Sequence, residues 1–140
     1  MLTTEQNELL TRVGPGTPAG ELFRRYWIPA LLSEEIAVPG GPPVRVKLLG
    51  EALIACRDDA GKVGLLAELC SHRQASLFFA RPEEGGIRCV YHGWKYQADG
   101  QIVDMPCEPA NSTFKDAVHH LAYPCRDVNG IIWTYMGPAE

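Results

Sequence analysis

Two cysteines and two histidines constrain this chain more than any other feature. Cys70 and His72 form C-x-H; after an intervening stretch of sixteen residues Cys89 and His92 form C-x-x-H. Each short segment offers one thiolate and one imidazole. Two mixed knuckles of this kind suit a binuclear metal site whose two halves are chemically unequal. The rival arrangement is a Cys2His2 zinc site, which usually pairs like ligands as C-x2-4-C and H-x3-5-H. Here the types are mixed within each knuckle, and C-x-H is tight for zinc.

A division of two Cys on one iron and two His on the other is that of a Rieske [2Fe–2S] centre. Exchanging two thiolates for neutral imidazoles removes negative charge from one iron and makes an electron easier to accept. The expected ligands, and the expected metal and cofactor site, are therefore Cys70, His72, Cys89 and His92, and the expected chemistry is one-electron transfer.

The rest of the chain fits a small β domain. The 140 residues suffice for one domain, and 46% hydrophobic residues can build a normal core. Fourteen Gly and 11 Pro favour turn-rich β structure over a helical bundle. A net charge of −4 offers no electrostatic case for nucleic acid. The N-terminus MLTTEQNELL lacks the basic start and apolar stretch of a secretory signal. No segment approaches the roughly 20 apolar residues of a membrane span. The expectation is a cytoplasmic protein with neither nucleic-acid nor membrane partner. Cys56, Cys107 and Cys125 lie outside the motif. In that compartment they are expected as free thiols, Cys56 and Cys125 as small buried hydrophobes and Cys107 in a more exposed loop.

Thr17 followed by Pro18 predicts a short helix running to about Trp27 and ending before Pro29, with Arg24 and Arg25 facing water. After the proline-rich loop at 39–43, period-two alternation begins at Val44–Leu48. Hairpins are predicted around DDAGK, around Ala98-Asp99-Gly100 and around Asn129-Gly130. The predicted fold is mostly β: small antiparallel sheets, two cluster-binding loops and a short N-terminal helix. The expected division is a helix and loop segment at 1–43, the cluster domain at 44–136 and the start of a linker at 137–140. His119 and His120 have no partner at ligand spacing and read as an ordinary loop or strand pair. Trp94 and Tyr96 read as hairpin packing, with Trp94 also shielding the cluster.

The segment CSHRQASLFFARPEEGGIRCVYHGWKYQADGQIVDMP resembles the Rieske region of aromatic-ring-hydroxylating oxygenases. The flanks TRVGPGTPAGELFRRYWIPALLSEE and FKDAVHHLAYPCRDVNGIIWTYMGP resemble the phthalate 4,5-dioxygenase-like branch of their α-subunits. The resemblance implies an electron-transfer part followed, beyond this sequence, by a catalytic domain with a mononuclear Fe(II). It also implies a homotrimer, electrons arriving from a flavin- and iron–sulfur-containing reductase or a ferredoxin, and their passage to the catalytic domain of a neighbouring subunit. No residue of this chain is expected to be catalytic, and the chain is not expected to hydroxylate anything alone. The alternatives are a stand-alone Rieske ferredoxin and, more remotely, a structural zinc module. The segment RRYWIPALL favours the oxygenase over the ferredoxin.

High-potential Rieske proteins carry an extra cysteine in each loop and a serine after the His-Gly pair. The matching positions here are Ala75, Tyr91 and Trp94, which implies a potential near the low end of the range. Family members often have Pro and Gly where this chain has Ser71 and Gln74. A positive φ at position 74 would carry a strain cost for Gln.

Overall fold

The computed structural model describes residues 1–138, so Ala139 and Glu140 of the expected linker lie outside the described residues. Strong turn formers and short alternating runs produce three small antiparallel sheets. The first joins β1 (Trp27–Leu32), β11 (Ile131–Tyr135) and β10 (Cys125–Val128), in that order. The second runs β2 (Val44–Leu48), β3 (Glu51–Arg57), β4 (Val63–Ala67) and β9 (Ala122–Tyr123). The third runs β5 (Arg81–Glu83), β6 (Gly86–Arg88), β7 (Lys95–Tyr96) and β8 (Ile102–Asp104). The mostly β architecture expected from the sequence is the one observed.

Asn129 and Gly130 both adopt positive φ, 54° and 77°, which matches the right-handed twist of the β10–β11 hairpin. The extended run Tyr123–Val128 leading into that hairpin is not one strand but two. Pro124 interrupts it, sending β9 to the edge of the second sheet and β10 to the first.

The N-terminal region differs more from expectation. Helix α1 (Thr4–Thr11) has no buried residue and rests on a capping box: Thr3 Oγ1 accepts from Gln6 N, and Gln6 Oε1 accepts from Thr3 N. Helix α2 (Pro18–Arg24) starts as predicted, with Thr17 accepting from Gly20 N at 3.2 Å, but stops at Arg24. Trp27–Leu32 is strand, not the helix end. Pro29 is tolerated there because β1 is an edge strand whose register slips between Pro29 and Leu31. Arg24 is buried rather than solvated. It pairs with Glu51 and donates to the Leu49 carbonyl, tying α2 to the β2–β3 hairpin. Arg25 faces solvent as expected; Leu22, Phe23 and Tyr26 are exposed as well.

Two cores result. One packs Val46, Leu53, Ala55, Leu65 and Ile132 between the first two sheets. The other joins Ile54, Leu66, Leu77, Ile87 and Tyr96, and it contains Cys70, Cys89 and Trp94.

Candidate metal centre

The two Cys/His segments fold into loops of the same construction. In the first, Cys70 N donates to Ala75 O at 2.9 Å and Gln74 N donates back to Cys70 O at 2.9 Å. In the second, Cys89 N donates to Trp94 O at 2.9 Å and Gly93 N donates to Cys89 O at 3.1 Å. The fifth residue of each loop takes a positive φ, 56° at Gln74 and 78° at Gly93. At Gly93 the reversal is also crowded, since a Cβ would sit 3.1 Å from Pro106 Cγ. Leu77 N to Glu68 O, at 2.7 Å, closes the first loop onto the body. Around the second, Arg88 Nε bridges both oxygens of Glu83 at 2.8 Å, while its Nη1 donates to Gly93 O and to Asp104 at 2.7 Å. This guanidinium holds the carbonyl next to His92, and sequence reasoning gave no sign of it.

The expected residues meet as two pairs. Cys70 and Cys89 are buried in one core, and burial is the main cause raising the Cys89 thiol above its ordinary value. The His72 and His92 rings meet edge-on, with centroids 4.6 Å apart. His72 lies flat on Trp94, at 4.7 Å and 9°, so the shielding expected of Trp94 falls on one imidazole face. Tyr91 packs at 3.9 Å from the His92 ring.

His72 Nδ1 is buried without a hydrogen-bond partner. A buried polar atom left unpaired is costly, and a metal ion removes that cost. Desolvation, followed by the neighbouring His92 and Arg73, holds His72 below the usual imidazole range, which keeps it neutral as a ligand must be. The donor set of two thiols and two imidazoles therefore fits an iron–sulfur cluster. Among the described residues, no three His, Cys, Asp or Glu side chains form a ready-made site for one metal ion.

Three further residues join the site through contacts that no sequence spacing announces. The Tyr96 hydroxyl lies 2.9 Å from Cys70 Sγ, and burial pushes this phenol well above its ordinary value, so it stays protonated and can donate to sulfur. His120 is buried, with Nε2 3.0 Å from Ala67 O and Nδ1 2.7 Å from Ser71 Oγ. His119 is exposed, its Nε2 3.1 Å from Asp99 O, and has no part in the site. Of the other cysteines, Cys56 is buried and pushed up to about 12, first by desolvation. Cys125 is half-buried and pushed up to about 11 by the same cause, and Cys107 is exposed.

Comparison with known proteins agrees with this geometry. Residues 26–122 match the model of the Rieske [2Fe–2S] domain. The chain is 53% identical over 137 residues to the 3-chlorobenzoate-3,4-dioxygenase oxygenase subunit of Comamonas testosteroni, covering 98% of this chain and 32% of that protein. It is 48% identical over 140 residues to the phthalate 4,5-dioxygenase oxygenase subunit of Pseudomonas putida, covering 100% and 32%. A solved complex between oxygenase and ferredoxin in carbazole 1,9a-dioxygenase aligns with TM-score 0.70 at 32% identity, over 84% of this chain and 30% of that one. The chain thus spans about a third of the length of the curated relatives it matches. Among the described residues no helix is long and apolar enough to cross a membrane. With the match covering well over half of its length, the chain belongs to the Rieske [2Fe–2S] domain family, whose cofactor is the iron–sulfur cluster its donor set fits.

Proposed function

We propose that Cys70 and Cys89 hold one iron of the [2Fe–2S] cluster and His72 and His92 the other, and that the chain is the electron-transfer part of a ring-hydroxylating oxygenase. The observation that supports the assignment is the pair of matched loops, each carrying one buried thiol and one imidazole, with the two imidazoles in contact and His72 Nδ1 buried and unpaired. When bound, the cluster accepts and releases one electron at a time. The protein's own residues set how it does so. Tyr96 donates a hydrogen bond toward Cys70. Trp94 covers one face of His72, and Arg88 fixes the carbonyl beside His92.

In this reading residues 1–43 are an N-terminal segment, 44–136 the cluster domain, and 137–140 the start of a linker to a catalytic domain with mononuclear Fe(II). The long oxygenase relatives, matched over nearly all of this chain, support it. Electrons come from a ferredoxin or from a flavin- and iron–sulfur-containing reductase, and pass to the catalytic domain of a neighbouring subunit in a homotrimer. The solved oxygenase–ferredoxin complex among its structural neighbours supports a ferredoxin as donor. A cytoplasmic setting accords with three unpaired thiols, Cys56, Cys107 and Cys125, beside the two proposed ligands. The alternative of a stand-alone Rieske ferredoxin is disfavoured because the match to oxygenase subunits includes the first 43 residues.

Iron and acid-labile sulfide analysis, with electron paramagnetic resonance of the dithionite-reduced protein, tests the assignment. Two irons, two sulfides and a Rieske-type signal are expected, lost on Cys70→Ser or His92→Ala. Bound zinc without that signal would overturn it.

A further inference from the structure

We propose that His120 is a positioning residue for the first cluster loop, holding Ser71 and Tyr96 in place on either side of Cys70. The inference rests on the assignment of Cys70 as a ligand.

The proton positions follow from the partners. His120 Nε2 faces the Ala67 carbonyl, which can only accept, so Nε2 carries the hydrogen. Desolvation is the main cause holding His120 below its usual value, and the ring is neutral. Its Nδ1 is then an acceptor, and the Ser71 hydroxyl must donate to it. The imidazole thus spans the gap between the end of β4, at Ala67, and the residue between Cys70 and His72.

The same ring packs against Tyr96, with centroids 4.6 Å apart. The Tyr96 hydroxyl meets Cys70 Sγ. His120 therefore links Ser71, the residue after Cys70, to the ring whose hydroxyl reaches the Cys70 sulfur. His120 is itself held from behind, because its backbone N–H donates to Gly100 O at 3.0 Å. A Cβ at Gly100 would fall within 2.2 Å of the His120 carbonyl, so the loop carrying Gly100 fixes how deep the imidazole sits.

The test uses the full chain with its cluster. Ser71→Ala removes only the hydroxyl, Ser71→Thr restores it, and His120→Phe keeps a ring against Tyr96 without either hydrogen bond. The readouts are the midpoint potential and the rate of visible bleaching in excess chelator. Losing one buried hydrogen bond corresponds to about a five- to tenfold change in an equilibrium or rate. Ser71→Ala and His120→Phe should each bleach about that much faster. Both should shift the midpoint downward, because a loosened Tyr96 donates less well to sulfur. Ser71→Thr should match the wild type. The double variant should be no worse than the more affected single one, since both act on one interaction. Wild-type bleaching and midpoint in Ser71→Ala would overturn the proposal, and that variant decides the matter should His120→Phe not fold. A wild-type chain without the reduced Rieske signal would instead sink the ligand assignment.

Discussion

Replacing Gln74 with glycine tests whether the first cluster loop stores strain that the second does not. The two loops share one hydrogen-bond scheme and turn on a positive φ at the fifth residue, Gln74 in one and Gly93 in the other. An L-residue in this region costs roughly 1–2 kcal/mol. Glycine removes that cost but gives back roughly 0.4–1 kcal/mol through the greater freedom of the unfolded chain. Gln74 is exposed, so little packing is lost. The net gain is about 0.5–1 kcal/mol, or roughly 2–3 °C in Tm for a chain of this size. Thermal melts followed by circular dichroism measure it, and iron release to a chelator reports on the loop itself. Both should improve in Gln74→Gly. Leu49→Gly, at φ 45°, should instead lower Tm, because Leu49 packs against the core and its side chain is lost, whereas Asn129→Gly should gain less than Gln74→Gly because Asn tolerates this region. A Tm equal to or below wild type, with unchanged or faster iron release, would refute the strain argument.

The remaining predictions concern charge and potential. The midpoint potential should lie toward the low end of the Rieske range, about −150 mV, and Tyr96→Phe should lower it further by removing the donor to Cys70; a redox titration giving a strongly positive wild-type value would contradict this. Arg88→Lys should cost about 1.5–3 kcal/mol and speed cluster loss, because an ammonium cannot reach Glu83, Asp104 and Gly93 O together; unfolding and bleaching rates equal to wild type would refute the clamp. Stability should also fall in acid. Hydrogen bonds from Ser76 and Arg45 hold Glu68 low, those from Ser33 and Arg57 hold Asp127 low, and one from Lys62 is the main cause lowering Asp99. With folded values depressed, their contribution is complete above the ordinary carboxylate values of 3.8 and 4.5 and is lost as pH falls through the folded ones. Asp127→Asn should flatten the acid limb of a Tm-against-pH curve, and an unchanged limb would exclude that role.

What the sequence made legible was local in origin. Asn129-Gly130 requires two positive φ angles and turns as its chemistry demands, and Thr17-Pro18 starts a helix because its first turn needs no distant partner. The four Cys and His residues were legible because their spacing is itself the loop. Contacts between distant segments were not. Arg24 looked like a solvated helix residue because its partner, Glu51, arrives from a hairpin 27 residues away. Pro29 read as a barrier, but an edge position beside β11 makes it harmless, and nothing near Pro29 specifies that position. His120 read as an ordinary loop residue because Ser71, its partner in the site, lies 49 residues earlier. Local chemistry pointed to the proposed metal donors, while the residues packed around them depend on tertiary approach.

The division into two cores has a consequence for how the protein matures. The core of Val46, Leu53, Leu65 and Ile132 includes none of the four Cys and His residues, so its packing is complete without iron. The other core has Cys70 and Cys89 built into it, and its sheet consists of strands of only two or three residues. Such short strands have little cohesion of their own. Packing of the first core therefore does not wait for iron, whereas the third sheet and its two loops are expected to tighten on cluster binding, which amide hydrogen exchange with and without the cluster would register as protection gained over residues 81–104.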